Sequence, residues 1–334
     1  MSGFPLLHPT GIQSARIAAL LIGIMAAGAA VYLITLLVLA LAVRHGWRRA
    51  RAEGGAEPGS APGEPTPSVA PDAERRLGRV VLGAALLTAL VLFIYIGASA
   101  RTGRALNLLA QAPPGAPEPV TVSVTGHRWW WEFTYKKARP LEHLVTANEL
   151  HVPVGRTVHL VGTSYDVIHS FWAPNLHGKR DLIPGYSSEA WFRADTPGVW
   201  TGECAEFCGL QHAHMRFVVV AQSDADYAAW YAGQLAPAAE PIETSRAHGE
   251  QVFLAHSCSL CHTIRGTPAG GRLGPDLTHV GSRAQIAAGL LPNTRGNLAG
   301  WILDPRTLKP GTPMPATSLS SSDLNSLVDY LEGL

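Results

Sequence analysis

Two long apolar runs stand at the front of the chain, and a region of alternating polar and apolar positions follows them. Residues 17–43 run from Ile17 to Val43 without a charged side chain, enough to cross a bilayer core with some tilt. Residues 80–100 form a second uncharged run of helix length. The pair predicts a two-helix transmembrane hairpin. The first run is too long for the apolar region of a signal peptide, and only Arg16 precedes it, so a retained span is expected. Arg44, Arg48, Arg49, Arg51, Arg75, Arg76 and Arg79 lie between the runs. Positive charge is retained on the cytoplasmic side, which places this loop inside and everything after residue 101 outside. The expected segments are 1–43 with the first span, a cytoplasmic loop 44–78, and the second span 79–101. The middle of that loop, Gly54 to Pro71, is rich in Gly, Pro, Ala and Ser and is expected to be disordered. Glu74 reads as a solvated loop residue.

A linker is expected over 102–118, with Pro113, Pro114, Pro117 and Pro119 near its end. From Val120 the period changes to two: Val120, Val122 and Val124 alternate with Thr and Ser, the pattern of a half-buried strand. Val152 to Val161, turning at Pro153-Val154-Gly155, reads as a hairpin. Trp191-Phe192-Arg193 and Phe217 to Val220 read as further strands. Short strands at this spacing predict an all-β Greek-key sandwich over 119–222. A linker over 223–243 follows, opened by a short helix at Asp224-Ala225-Asp226-Tyr227. Helical periodicity then marks 244–334 as all-α. Ser245 to Ser257 forms its first helix. Ser320 to Leu334 forms its last, with Ser320 and Asp323 at capping positions and Leu324, Leu327, Val328 and Leu331 on one face.

Composition sharpens this only in two respects. A net charge of +1 gives no electrostatic case for nucleic acid. The 4 cysteines fall in two closely spaced pairs, which speaks for cofactors and against a disulfide framework.

The first pair lies in Gly202-Glu203-Cys204-Ala205-Glu206-Phe207-Cys208-Gly209-Leu210-Gln211-His212-Ala213-His214-Met215. Thiolate, imidazole and thioether together suit copper, whereas calcium and magnesium take oxygen. A single blue-copper site uses one Cys, so two suggest two coppers bridged by two sulfurs. His212, Met215 and the Glu206 carbonyl are further ligands within reach. A second imidazole must come from elsewhere, and spacing does not choose it from His127, His143, His151, His159, His169 or His177. The competing readings are a Cys204–Cys208 disulfide and a structural zinc site, the latter disfavoured because Met is a poor zinc ligand. The second pair, Cys258-Ser259-Leu260-Cys261-His262, is the Cys-x-x-Cys-His haem c attachment pattern. Its thiols form thioethers with the haem and His262 is the proximal ligand. Met314, in Lys309-Pro310-Gly311-Thr312-Pro313-Met314-Pro315, is the sixth-ligand candidate. A redox dithiol or half a zinc site are the alternatives.

The pattern Cys-x-Glu-x-Cys-x-x-x-His-x-x-Met resembles the binuclear copper A motif of cytochrome c oxidase subunit II. The resemblance covers roughly residues 8–222. The remainder resembles a class I cytochrome c, including Gly274-Pro275-Asp276-Leu277 and Trp301-Ile302-Leu303-Asp304-Pro305. Together they are similar to the bacterial oxidases whose subunit II carries its own haem c. The resemblance implies a cupredoxin-like fold for the β domain and His169, in His169-Ser170-Phe171-Trp172, as the second copper imidazole. It implies Trp129 as the residue receiving electrons beside the copper, although Arg128-Trp129-Trp130-Trp131 stands where the family usually has Gln-Trp-Tyr-Trp. It further implies a Glu206 carboxylate on a magnesium ion shared with subunit I, and a Pro275 carbonyl that orients His262. The expected partners are subunit I with haem a and a haem a–copper centre, subunit III, and a soluble cytochrome c or other periplasmic donor. The expected role is electron transfer from haem c through copper A to oxygen reduction and proton translocation in a bacterial inner membrane. A carrier serving another reductase, and a subunit II relative without copper, are the alternatives. The run from Arg79 to Gly83 replaces the Trp-Thr-x-x-Pro segment that many relatives carry at the second span.

Overall fold

The computed structural model describes residues 5–52, 71–108, 115–139 and 142–334, in two compact units. One comprises Arg16–Ala105, and the other joins Met1–Ala15 to Leu106–Leu334.

The first unit holds most of α1 (Ile12–Ala52) and α2 (Pro71–Leu108). Both are long and apolar enough to cross a membrane, with mean hydropathies of 2.5 and 2.6 over their best windows. Both outrun the apolar stretches that predicted them. Helix α2 continues to Leu108, into the expected linker, because no proline interrupts it before Pro113. The expected disordered loop is likewise helical at its two ends, and Glu74 sits in the first turn of α2 rather than in a loop. Of the loop's Gly- and Pro-rich middle, residues 54–70 lie outside the described residues.

The second unit begins with a β-sandwich. One sheet has the order β3 (Leu144–Ala147), β2 (Trp130–Tyr135), β1 (Val120–His127), β5 (Val158–Ser164), β8 (Ser188–Phe192). The other has β4 (Glu149–Pro153), β10 (Arg216–Gln222), β9 (Gly198–Cys204), β6 (His169–Trp172), β7 (Arg180–Leu182). The alternation in β1 buries Val120, Val122 and Val124. Between the sheets Trp131, Phe133, Phe171 and Phe217 pack edge-to-face or stacked, with centroids 4.5–6.4 Å apart. Such contacts add to the burial of the rings themselves.

The expected hairpin over Val152–Val161 does not form. Strand β4 runs parallel to β10, and β5 runs parallel to β1 in the opposite sheet. The turn's amides bond to distant segments: Val154 N–H donates to Gln222 O of β10 and Gly155 N–H to Ala194 O beyond β8. The segment is a crossover between layers, which fits the Greek key better than a local pair.

Helix α3 (Asp224–Leu235), capped by Ser223, packs Tyr227 and Tyr231 against the sandwich core. A separate core follows, formed by α4 (Thr244–Ala255), α6 (Arg295–Leu303) and α8 (Ser321–Glu332), with Val252, Phe253, Leu298, Ile302, Leu327 and Leu331 buried. The Ser320 hydroxyl accepts the Asp323 amide at 3.1 Å, the predicted cap of the last helix. A short ladder, β11 (Gln285–Ile286) with β12 (Leu291–Pro292), interrupts this otherwise helical domain.

Candidate copper and haem sites

The first cluster forms where β9 ends and the chain loops back into β10. The pairing Phe171↔Cys204 and Trp172↔Glu203 lays β6 beside β9. That contact carries His169 to the thiols, 35 residues away in sequence. The sulfurs of Cys204 and Cys208 stand 3.7 Å apart, too far for a disulfide bond. Around Cys204 Sγ lie His169 Nδ1 at 3.8 Å and the Glu206 carbonyl at 3.2 Å. Around Cys208 Sγ lie His212 Nδ1 at 3.7 Å and Met215 Sδ at 3.9 Å. Each sulfur therefore has one imidazole and one weaker donor beside it. His169, both thiols and Met215 are buried, whereas the Glu206 side chain is exposed. Gly126 makes room for the imidazole, since a Cβ there would stand 2.7 Å from His169 Cδ2.

The electrostatics favour a bound cation. The Cys208 thiol beside it, and then His169, hold the Cys204 thiol down to about 3. The Cys208 thiol is pushed far up, because its proton is held in a hydrogen bond to Cys204, because it is buried, and because a second thiolate this close to the first is repelled. A metal relieves that repulsion and takes the place of the second proton. Burial lowers His169, but Cys204 and Asp166 outweigh it and raise the imidazole above its ordinary value.

Asp166 was not singled out by the sequence. Its Oδ1 lies 2.9 Å from His169 Nε2, while its Oδ2 accepts the Arg128 amide at 2.8 Å. Nε2–H therefore faces the carboxylate and Nδ1 is left free for a metal, the usual way an outer carboxylate fixes a ligand's tautomer. The signal was its place three residues before His169, which means nothing until that histidine is chosen. Asp166→Asn is expected to weaken copper binding by roughly 10–100-fold. Competition against a chelator of known affinity measures it, with an unchanged thermal midpoint of the apo-protein as control.

Trp129, between β1 and β2, stands against the same cluster. Its Nε1–H donates to Cys208 O at 3.0 Å, and the residue is 8% exposed. His127 is stacked between Trp130 and Tyr165, and burial pushes it down to about 4, so it is a neutral packed imidazole.

The second site opens the helical domain. The single turn α5 (Cys258–Cys261) sets both free thiols three residues apart on one face. His262 Nδ1 lies 2.7 Å from Pro275 O, so Nδ1–H donates and Nε2 remains as the ligating nitrogen. Burial lowers His262, which keeps the ring neutral as ligation requires. A Cβ on Gly274 would stand 2.6 Å from the ring, so only glycine fits there. Met314 is half-buried in the loop between α7 (Pro305–Leu308) and α8. A donor set of two thiols, a tautomerically fixed imidazole and a thioether suits covalent haem. The soft sulfur and imidazole set of the first cluster suits copper.

Residues 138–222 match the family of the cytochrome c oxidase subunit II periplasmic domain, and residues 247–334 match the cytochrome c family. The chain is 41% identical over 223 residues to cytochrome c oxidase subunit 2 of Alkalihalophilus pseudofirmus, covering 66% of this chain and 63% of that protein. It is 31% identical over 231 residues to cytochrome c oxidase subunit 2 of Bacillus subtilis, again covering 66% and 63%. The crystal structure of the periplasmic domain of subunit II of cytochrome oxidase from Bradyrhizobium japonicum is 30% identical, with a TM-score of 0.33, covering 36% of this chain and 96% of that one. The chain thus spans 63% of the length of these two curated relatives. The first family implies copper A and the second implies haem. The chain carries a cytochrome c oxidase subunit II periplasmic domain joined to a C-terminal cytochrome c domain.

Proposed function

We propose that the chain is the electron-receiving subunit of a haem-copper oxidase, anchored in a bacterial inner membrane with both redox domains on the periplasmic side. Cys204, Cys208, His169, His212, Met215 and the Glu206 carbonyl hold two coppers. Cys258 and Cys261 would attach haem c, and His262 and Met314 would ligate its iron. Bound, the two cofactors supply one-electron chemistry with little reorganisation, because rigid strands and short loops fix the ligands. The chain's own residues keep water out, fix the tautomers of His169 and His262, and connect the two sites. Trp129 is the connecting residue. The observation that carries this reading is its position: the indole donates to the carbonyl of Cys208 and lies against Gly311 of the loop that bears Met314. Oxygen reduction and proton translocation then belong to subunit I, with haem a and a haem a–copper centre, in company with subunit III. The exposed Glu206 carboxylate serves a magnesium ion at the subunit I boundary, and a soluble cytochrome c or another periplasmic protein supplies the electrons.

Purification of the full chain from membranes tests this. Two coppers per chain are expected, with an electron paramagnetic resonance hyperfine pattern shared by two equivalent nuclei, and an oxygen-consuming, haem a-containing partner. A single-copper pattern, or a reductase partner that ignores oxygen, would overturn the reading.

A further inference from the structure

Among the described residues Lys309 alone of the lysines, arginines, aspartates and glutamates is buried, at 2% exposure. Burying an ammonium is costly unless its protons are taken up, and here each has a taker. Lys309 Nζ donates to Trp129 O at 2.9 Å, to His214 O at 2.8 Å and to Ala287 O at 2.8 Å. The first two carbonyls belong to the copper domain, and the third to the haem domain that also supplies the lysine. Three acceptors match the three donors of an ammonium, with no carboxylate involved. Burial pushes the amine down to about 7, against a smaller upward pull from the nearby Cys208.

The contacts around it join the same two domains. Gln211 Nε2–H donates to Pro310 O at 2.7 Å. The Arg216 amide donates to Ala288 O at 3.0 Å, and the Ala284 amide to Glu149 Oε1 at 2.9 Å. Ala287 and Ala288 hold left-handed backbone angles, with φ of 54° and 59°, a conformation alanine adopts only where its surroundings impose it. Both carbonyls so aimed are spent on the domain boundary. Two residues beyond Lys309, Gly311 with φ of 86° lies so close to the copper domain that a Cβ would stand 3.2 Å from Trp129 Cη2 and from Leu210 Cδ1.

We infer that Lys309 is an interdomain pin, holding the haem-domain loop over Trp129 and closing that face of the copper domain to any soluble redox protein. A soluble donor must then dock on the haem domain. This consequence rests on the reading of Trp129 given above, whereas the pin itself rests on the hydrogen bonds alone. It is a positioning role, acting through Trp129 and Gly311.

Hydroxyl-radical footprinting of the full-length chain in detergent, read by mass spectrometry, tests the pin without any electron-transfer assay. Lys309→Met keeps the stem and removes all three donors. It is expected to raise oxidation of Trp129 by roughly tenfold through opening of the boundary, while Trp131, fully buried two residues away, stays protected. Gln211→Ala breaks the neighbouring contact without altering the haem-domain loop, and it is expected to move Trp129 the same way by a smaller factor. It decides the matter should Lys309→Met expose Trp131 as well. Equal labelling of Trp129 in the wild type and in Gln211→Ala and Lys309→Met, whether uniformly low or uniformly high, would overturn the pin. Copper and haem content of the same samples separates the two claims. A protected Trp129 that becomes labelled in the variants of a chain binding neither cofactor would keep the pin and sink the functional reading.

Discussion

Cys204→Ser is expected to stop electrons leaving the haem domain while leaving the haem itself reducible. Cys204 lies between its partner sulfur, an imidazole and a carbonyl, so its sulfur is the thiolate that would hold copper on that side. Serine keeps the shape but offers a hard hydroxyl that stays protonated at neutral pH, where the thiol of Cys204 has long since lost its proton. Copper should therefore fall from two per chain to at most one, and the shared hyperfine pattern should vanish. Loss of a residue that merely supports a ligand costs roughly 10–100-fold, and losing the bridge should exceed the upper end of that range. Stopped-flow reduction reads both halves: fast appearance of the reduced-haem band, then no detectable onward transfer to oxygen. Undiminished turnover in Cys204→Ser would remove the dinuclear centre from the account.

The legible part of this site is the part contained in one loop. Cys204, Cys208, His212 and Met215 are close in sequence, so spacing alone exposes them. His169 is different. It reaches Cys204 only because β6 pairs with β9, and a strand register of that kind is invisible in one sequence. The resemblance to a known motif supplied it. Asp166 inherits the same difficulty at one remove, since its role is defined by the imidazole it holds. Lys309 carries no local signal of its role. A lysine in a Lys-Pro-Gly loop reads as surface, and its burial follows from the docking of a second domain against the first. The crossover at Pro153-Val154-Gly155 reads as a hairpin in the sequence for a related reason: turn residues mark a change of direction, and the sheet that receives the next strand is decided by long-range pairing. Strand β1 and helix α8 were legible, because binary alternation in the one and a capped apolar face in the other express local chemistry.

His262→Ala is expected to leave haem attached yet detune it. The thioethers come from Cys258 and Cys261, which the substitution does not touch, so mass and pyridine haemochrome should both report covalent haem. What is lost is the nitrogen that Pro275 O presents by accepting the Nδ1 proton. Axial ligands govern haem potentials over a range of about 0.8 V, so the shift should exceed the roughly 59 mV that corresponds to one tenfold change in a one-electron equilibrium. The absorption spectrum should change with it, and transfer to the copper domain should fall at least tenfold. Met314→Ala provides the contrast that separates the two axial positions, since it removes only the weaker thioether and leaves the imidazole in place. Exogenous imidazole should restore part of the His262→Ala spectrum, because the cavity left by the ring keeps the Pro275 carbonyl as a hydrogen-bond acceptor. Should His262→Ala keep the wild-type potential and spectrum, the ring is no ligand.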